Sequence, residues 1–198
     1  LITGIEQALD SEDHISDVMT DIIQRHQDMI SALIENTEAQ TALFNQLEPY
    51  FQTLERYYYG ISFTREATPR MRDIIASFGE RISAVAITAV ISNRGLDSLF
   101  VMPDEAGMIT DGKFMDATAN MTQTRKNLYP VIHDLISPER LLFIPGFFGI
   151  SNSGEITTFG RGGSDYSAAV IAAAMKADIL EIWKDTQGFM SADPALVH

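Results

Sequence analysis

The apolar residues of this 198-residue chain change period near residue 97, and that change decides most of what the chain can fold into. Before it, they recur every three to four positions. After it, they come in short unbroken runs separated by turn residues. The first pattern is the stripe of amphipathic helices; the second fits strands buried on both faces.

In the first half, Ile2, Ile5 and Leu9 have helical spacing from the outset. Ser11, followed by Glu12 and Asp13, predicts a helix start that leads into Ile15, Met19, Ile22, Ile30 and Ile34. Thr37 is the expected cap of a second long helix carrying Leu43, Leu47, Phe51 and Leu54, kinked by Pro49. TREATPR, after Gly60, is expected as a loop. Pro69 opens a third helix that runs through Ile74, Phe78 and Ile82 to about Asn93. Beyond residue 97, LFVMP and LLFIPGFFGI read as strands, with a helix from Thr122 to Ile136 between them. A polar stretch, SNSGEITTFGRGGSD, is expected as a long loop. The small-residue helix SAAVIAAAMKA and a further strand, DILEIWKD, follow it. Such alternation implies a parallel sheet in an α/β fold.

Composition narrows the function. At 45% hydrophobic and 21% charged residues, the chain can build a packed core and is not disordered by default. Fourteen Lys and Arg face 27 Asp and Glu, a net charge of -13 that disfavours DNA and RNA partners. A nucleotide is still admissible, because local dipoles and a metal ion overcome the global field. With no cysteine there is no disulfide scaffold, thiolate metal site or Cys nucleophile, which is compatible with the cytoplasm. The longest apolar run without Gly or Pro, Ala168 to Met175, is far shorter than the ~20 residues of a membrane span, so no membrane partner is expected. The four histidines have no ligand spacing, so no protein-built metal site is expected. Leu1 opens inside a helical pattern and the C-terminus follows a turn with no closing element. Both ends read as cut, and the chain as a piece of a longer one.

The chemistry concentrates between Phe147 and Asp165, where a strand end, a polar loop and a helix start follow one another. Ligands sit at that edge of open α/β sheets. Gly160, Gly162 and Gly163 surround Arg161 just before the helix. Glycines let backbone N–H groups approach an anion, the helix N-terminus favours negative charge, and arginine clamps a carboxylate or phosphate. The same residues also suit a flexible loop in which Ser164 or Asp165 caps the helix; the local pattern leaves both readings open.

The segment ITTFGRGGSDYSAAVIAAAMKADILEIWKDTQGFMSADP resembles the signature region of aspartate kinases, within the amino-acid kinase superfamily. FGERISA (78–84), ITDGKFMDA (109–117), IPGFFG (144–149) and LITGIEQAL at the start resemble further pieces of that family in the same order. The resemblance implies a three-layer α/β/α amino-acid-kinase fold with a mostly parallel central sheet and a helix-rich N-terminal half. It implies an aspartate-side lobe over about residues 1–155 and the start of an ATP-side lobe over about 156–198. The implied reaction moves the γ-phosphoryl group of ATP, with Mg²⁺, to the side-chain carboxylate of L-aspartate. Glu80, Arg161, Gly162, Gly163 and Ser164 are then the expected substrate-binding residues and Asp165 the catalytic one. Lys184, Asp185 and Met190 are expected on the nucleotide side. Lys184, Met190 and Ala195 depart from the family's usual Thr, Tyr and Arg. The family's K-F-G-G segment, with its catalytic lysine, is absent from these residues, which are expected to be inactive alone; the full-length protein is expected to be a cytoplasmic homo-oligomer. Glutamate, uridylate or carbamate kinases, or a non-catalytic ligand-sensing module of the same fold, are the alternatives.

Overall fold

A computed structural model describes residues 1–183. Four helices come first: α1 (Ile2–Asp10), α2 (Asp13–Leu33), α3 (Thr37–Thr64) and α4 (Pro69–Asn93). Then follow β1 (Ser98–Phe100), β2 (Ile109–Thr110), α5 (Met121–Leu135), β3 (Leu141–Phe143), β4 (Phe148–Ser151), β5 (Ile156–Thr158) and α6 (Gly163–Met175).

Three of the helix starts, those of α3, α4 and α5, follow side-chain chemistry. Asn36, not Thr37, caps α3, its Oδ1 accepting the N–H of Ala39 at 2.9 Å. Asn is the stronger cap, and Thr37 becomes the first helical residue. The helix runs through Pro49 and past Gly60 to Thr64, so part of the expected loop is helical. Thr68 caps α4 with Pro69 in the first turn, and Asn120 caps α5 through Gln123 N–H.

β1 and β3 pair in parallel, as do β2 and β4; β5 returns antiparallel to β4. Helices α1–α4 form one layer, whose α4 packs on β1 and β5, while α5 and α6 pack together over β2 and β4. The result is the expected three-layer, mostly parallel α/β/α arrangement. Each helical layer has its own core. One is built on Ile5, Leu47, Leu54, Tyr58 and Ile75, the other on Met108, Leu128, Val170 and Ala174. Gly4 lets α1 approach α3: a side-chain carbon there would lie 2.6 Å from Tyr58 Oη, which donates to the Leu1 carbonyl. Helix α4 is long and apolar enough to cross a membrane by length and composition alone. Here its apolar surface is used in packing against α3, β1 and β5.

Three strand expectations change. The run 141–150 is two strands, because Pro145 has no N–H for a ladder and Gly146 begins a turn onto a new partner. The polar stretch after it is not one long loop, since β5 pairs back on β4. Residues 178–183 of the expected third strand have no ladder, and Ile179 and Trp183 are 76% and 86% exposed. A strand needs a neighbour to hydrogen-bond to, and no described strand supplies one.

Candidate active site

Helix α4, the loop after β3 and the N-terminus of α6 converge. Glu80 lies in the middle of α4, and its half-buried carboxylate accepts the backbone N–H of Gly146. Burial holds this carboxyl above its ordinary range, and the Gly146 hydrogen bond opposes that rise. Gly146 in turn sits against α6. A side-chain carbon there would be 2.7 Å from Ser167 Oγ and 3.0 Å from Ser164 Cα. One backbone position thus joins Glu80 to the helix start that carries Ser164.

The glycine-rich segment is an ordered turn rather than a flexible loop. Gly163 N–H bonds to the Gly160 carbonyl at 3.0 Å, and Gly162 lies at φ 75°, the third position of a turn that asks for glycine. Arg161 projects from this turn and is exposed. Gly163 is buried against Phe147, where a side-chain carbon would come within 2.9 Å of the ring. Ser164 is exposed at the first turn of α6, and Asp165 is half-buried beside it. The turn therefore places backbone N–H groups, a guanidinium and a hydroxyl at one helix N-terminus, a combination suited to an anion.

Among the expected site residues, Glu80, Arg161, Gly162, Gly163, Ser164 and Asp165 belong to this neighbourhood. Lys184, Asp185 and Met190 lie outside the described residues. No group of three or more His, Asp or Glu side chains among the described residues is placed to hold a metal. A magnesium ion carried on phosphates needs only one or two protein carboxylates, a requirement that Asp165 suits by chemistry.

Sequence reasoning passed over three supports. Ser167, fully buried, accepts the N–H of Phe147 at 3.0 Å and donates to the Ser164 carbonyl at 2.9 Å. Phe147 is a non-glycine residue at φ 75°, a conformation its surroundings must hold. Asp73, 1% exposed on α4, binds the end of β5. A charged residue inside the buried stripe of a helix was the available signal for Asp73. Nothing local marks Ser167.

The comparisons agree with this architecture. The model of the amino acid kinase family matches residues 6–198, and the chain belongs to that family. An aspartokinase of Helicobacter pylori is 33% identical over 138 residues, covering 70% of this chain and 33% of the relative. Aspartokinase 1 of Bacillus subtilis is 34% identical over 133 residues, covering 66% and 31%. The chain thus spans about a third of the length of these curated relatives. Among solved structures, E. coli aspartokinase III in complex with aspartate and ADP superposes with a TM-score of 0.83 at 21% identity, covering 98% of this chain and 42% of that one. At that identity the likeness speaks for the fold.

Proposed function

We propose that this chain is the aspartate-side part of an aspartate kinase, an ATP-dependent phosphotransferase that makes 4-phospho-L-aspartate. The observation that carries the reading is the meeting of two opposite chemistries on one loop. Glu80 and the anion-binding start of α6 both pack on Gly146. A zwitterionic amino acid with a second carboxylate needs such a pair. The aspartokinase relatives and the solved E. coli enzyme, which holds aspartate and ADP, support it.

In this reading Arg161 pairs with a substrate carboxylate, with Gly162 and Ser164 donating hydrogen bonds and Gly163, whose N–H closes the turn, letting the substrate approach the backbone, and Glu80 accepts from the α-ammonium. A side-chain carboxylate oxygen of the substrate forms the new bond to the γ-phosphorus. The P–O bond to ADP breaks, and its electron pair leaves with ADP. The nucleophile is already an anion, so the site needs no general base, and catalysis rests on positioning and charge neutralisation. Asp165 organises the transfer, and Lys184, Asp185 and Met190 meet the nucleotide. Magnesium supplies charge neutralisation on the phosphates when bound. The lobes divide near residue 155, and the full-length protein is a cytoplasmic homo-oligomer.

The test is ADP release by the full-length protein with L-aspartate, L-glutamate, UMP or carbamate as acceptor. Turnover with L-aspartate alone is expected. Turnover with another acceptor, or with none, overturns the reading in favour of a different kinase or a ligand-sensing module.

A further inference from the structure

We infer that Asp73 is a positioning residue: it sets the geometry of the Gly160–Gly163 turn and, through that turn, the place of Arg161. The inference rests on the functional reading above for Arg161, but its structural basis is independent. Asp73 and Glu80 stand seven positions apart on α4, about two turns. Asp73 is 1% exposed and its carboxylate is fully engaged. Oδ1 accepts the Thr158 hydroxyl at 2.6 Å. Oδ2 accepts the Thr158 N–H at 3.1 Å and the Met115 N–H at 2.9 Å.

Both partners adjoin the turn. Thr158 ends β5, two residues before Gly160, and its carbonyl accepts the N–H of Ala117 at 2.9 Å. Met115 stands at φ 66°, although it is not glycine and its side chain is half exposed. Side-chain packing therefore does not account for that conformation, whereas the Asp73 bond to its N–H does. The Met115 carbonyl then abuts the turn itself: a side-chain carbon at Gly160 would lie 2.8 Å from it. The route is short and continuous. Asp73 fixes Thr158 and Met115, and these seat Gly160 and hence Arg161.

Stability alone does not call for a carboxylate here. Burying one costs free energy unless every lone pair is used, and an apolar residue of similar volume is commonly no worse for folding. The carboxylate offers what an apolar side chain lacks: it holds two segments that lie 42 and 85 positions away in sequence at fixed hydrogen-bond distances.

The experiment compares full-length wild type, Asp73→Asn and Thr158→Val. Asparagine keeps the shape but loses the charge: its one oxygen can still accept the Met115 and Thr158 N–H groups only if its N–H₂ faces the Thr158 hydroxyl, which must then accept, so the charge-assisted bonds become weaker neutral ones. Valine removes only the hydroxyl bond. For Asp73→Asn the KM for L-aspartate should rise about tenfold or more, the scale of a sub-ångström misplacement, with the KM for ATP unchanged. Amide hydrogen exchange should quicken at Met115 and residues 158–163 and stay unchanged in the α3 core. Thr158→Val should show a smaller change of the same kind, and it carries the test if Asp73→Asn does not fold. An unchanged aspartate KM in the folded variants overturns the inference. So does a loss of kcat at constant KM with faster exchange everywhere, which marks plain destabilisation. If wild type shows no aspartate-dependent turnover, the functional reading fails, and exchange at 158–163 alone decides the role of Asp73.

Discussion

Gly146 is the hinge on which the proposed site depends, and Gly146→Ala is the most informative single change. The added carbon would meet Ser167 Oγ at 2.7 Å, Ser164 Cα at 3.0 Å and Ser164 Cβ at 3.2 Å. Ordinary carbon–carbon contact lies near 3.5–4.0 Å, so the loop and α6 must part by roughly 0.5–1 Å. Ser167 has little freedom to yield, being fully buried and bonded to both Phe147 and Ser164. Overpacking of this kind costs about 1–3 kcal/mol of stability. The same movement carries the Gly146 N–H away from Glu80 and shifts Ser164. A displacement near 1 Å lowers kcat/KM by up to about 100-fold. Steady-state kinetics with L-aspartate and a thermal melt of full-length protein measure both effects. Gly60→Ala is the control, since the nearest atom to its added carbon is 4.0 Å away and its helix should gain up to about 1 kcal/mol. A Gly146→Ala enzyme with wild-type aspartate kinetics would refute the convergence of α4 and α6 on this loop.

Further outcomes follow from the same geometry. Arg161→Ala should lose about 2–5 kcal/mol of transition-state stabilisation, read from kcat/KM, and Arg161→Lys should not restore it because the planar fork is gone. Burial raises the Glu80 carboxyl, and only its ionised form pairs with an ammonium group, so the aspartate KM should climb on acidification from a higher pH than an ordinary glutamate would give. Because the folded state binds that proton more tightly than the unfolded state, Glu80 favours folding below its raised folded pKa and loses that contribution as pH rises through it. Glu80→Gln should therefore melt no lower than wild type at pH 7 while losing aspartate affinity; a lower melting point would contradict the sign. The 198 residues alone contain no K-F-G-G segment. They should release no ADP in response to aspartate, and turnover that survives removal of contaminating kinases would place the catalytic cation within them.

The helical half and the glycine-rich turn were legible because their signals are local. Thr68–Pro69 opens α4, and apolar spacing carries it to Asn93. The turn announces itself by three glycines around an arginine. β5 was hidden because two of its three residues are threonines, and their polarity is met by distant partners. Thr157 bonds to Thr110 at 2.6 Å and Thr158 to Asp73. A short polar strand satisfied from 47 and 85 positions away looks like loop in sequence. The run 178–183 misled in the opposite sense: its apolar residues read as a buried strand, yet they are exposed here. Hydrophobicity shows that a segment can be buried, but pairing decides whether it becomes a strand.

The most direct measurement of the central claim is the identity of the product. Full-length protein given ATP, magnesium and L-aspartate in the presence of hydroxylamine should yield a hydroxamate, because an acyl phosphate is trapped by that nucleophile. One hydroxamate should form for each ADP released, and Arg161→Ala should slow its formation about 30-fold or more at limiting aspartate. ADP released without hydroxamate, or hydroxamate unaffected by loss of Arg161, would contradict the assignment of this turn to the aspartate carboxylate.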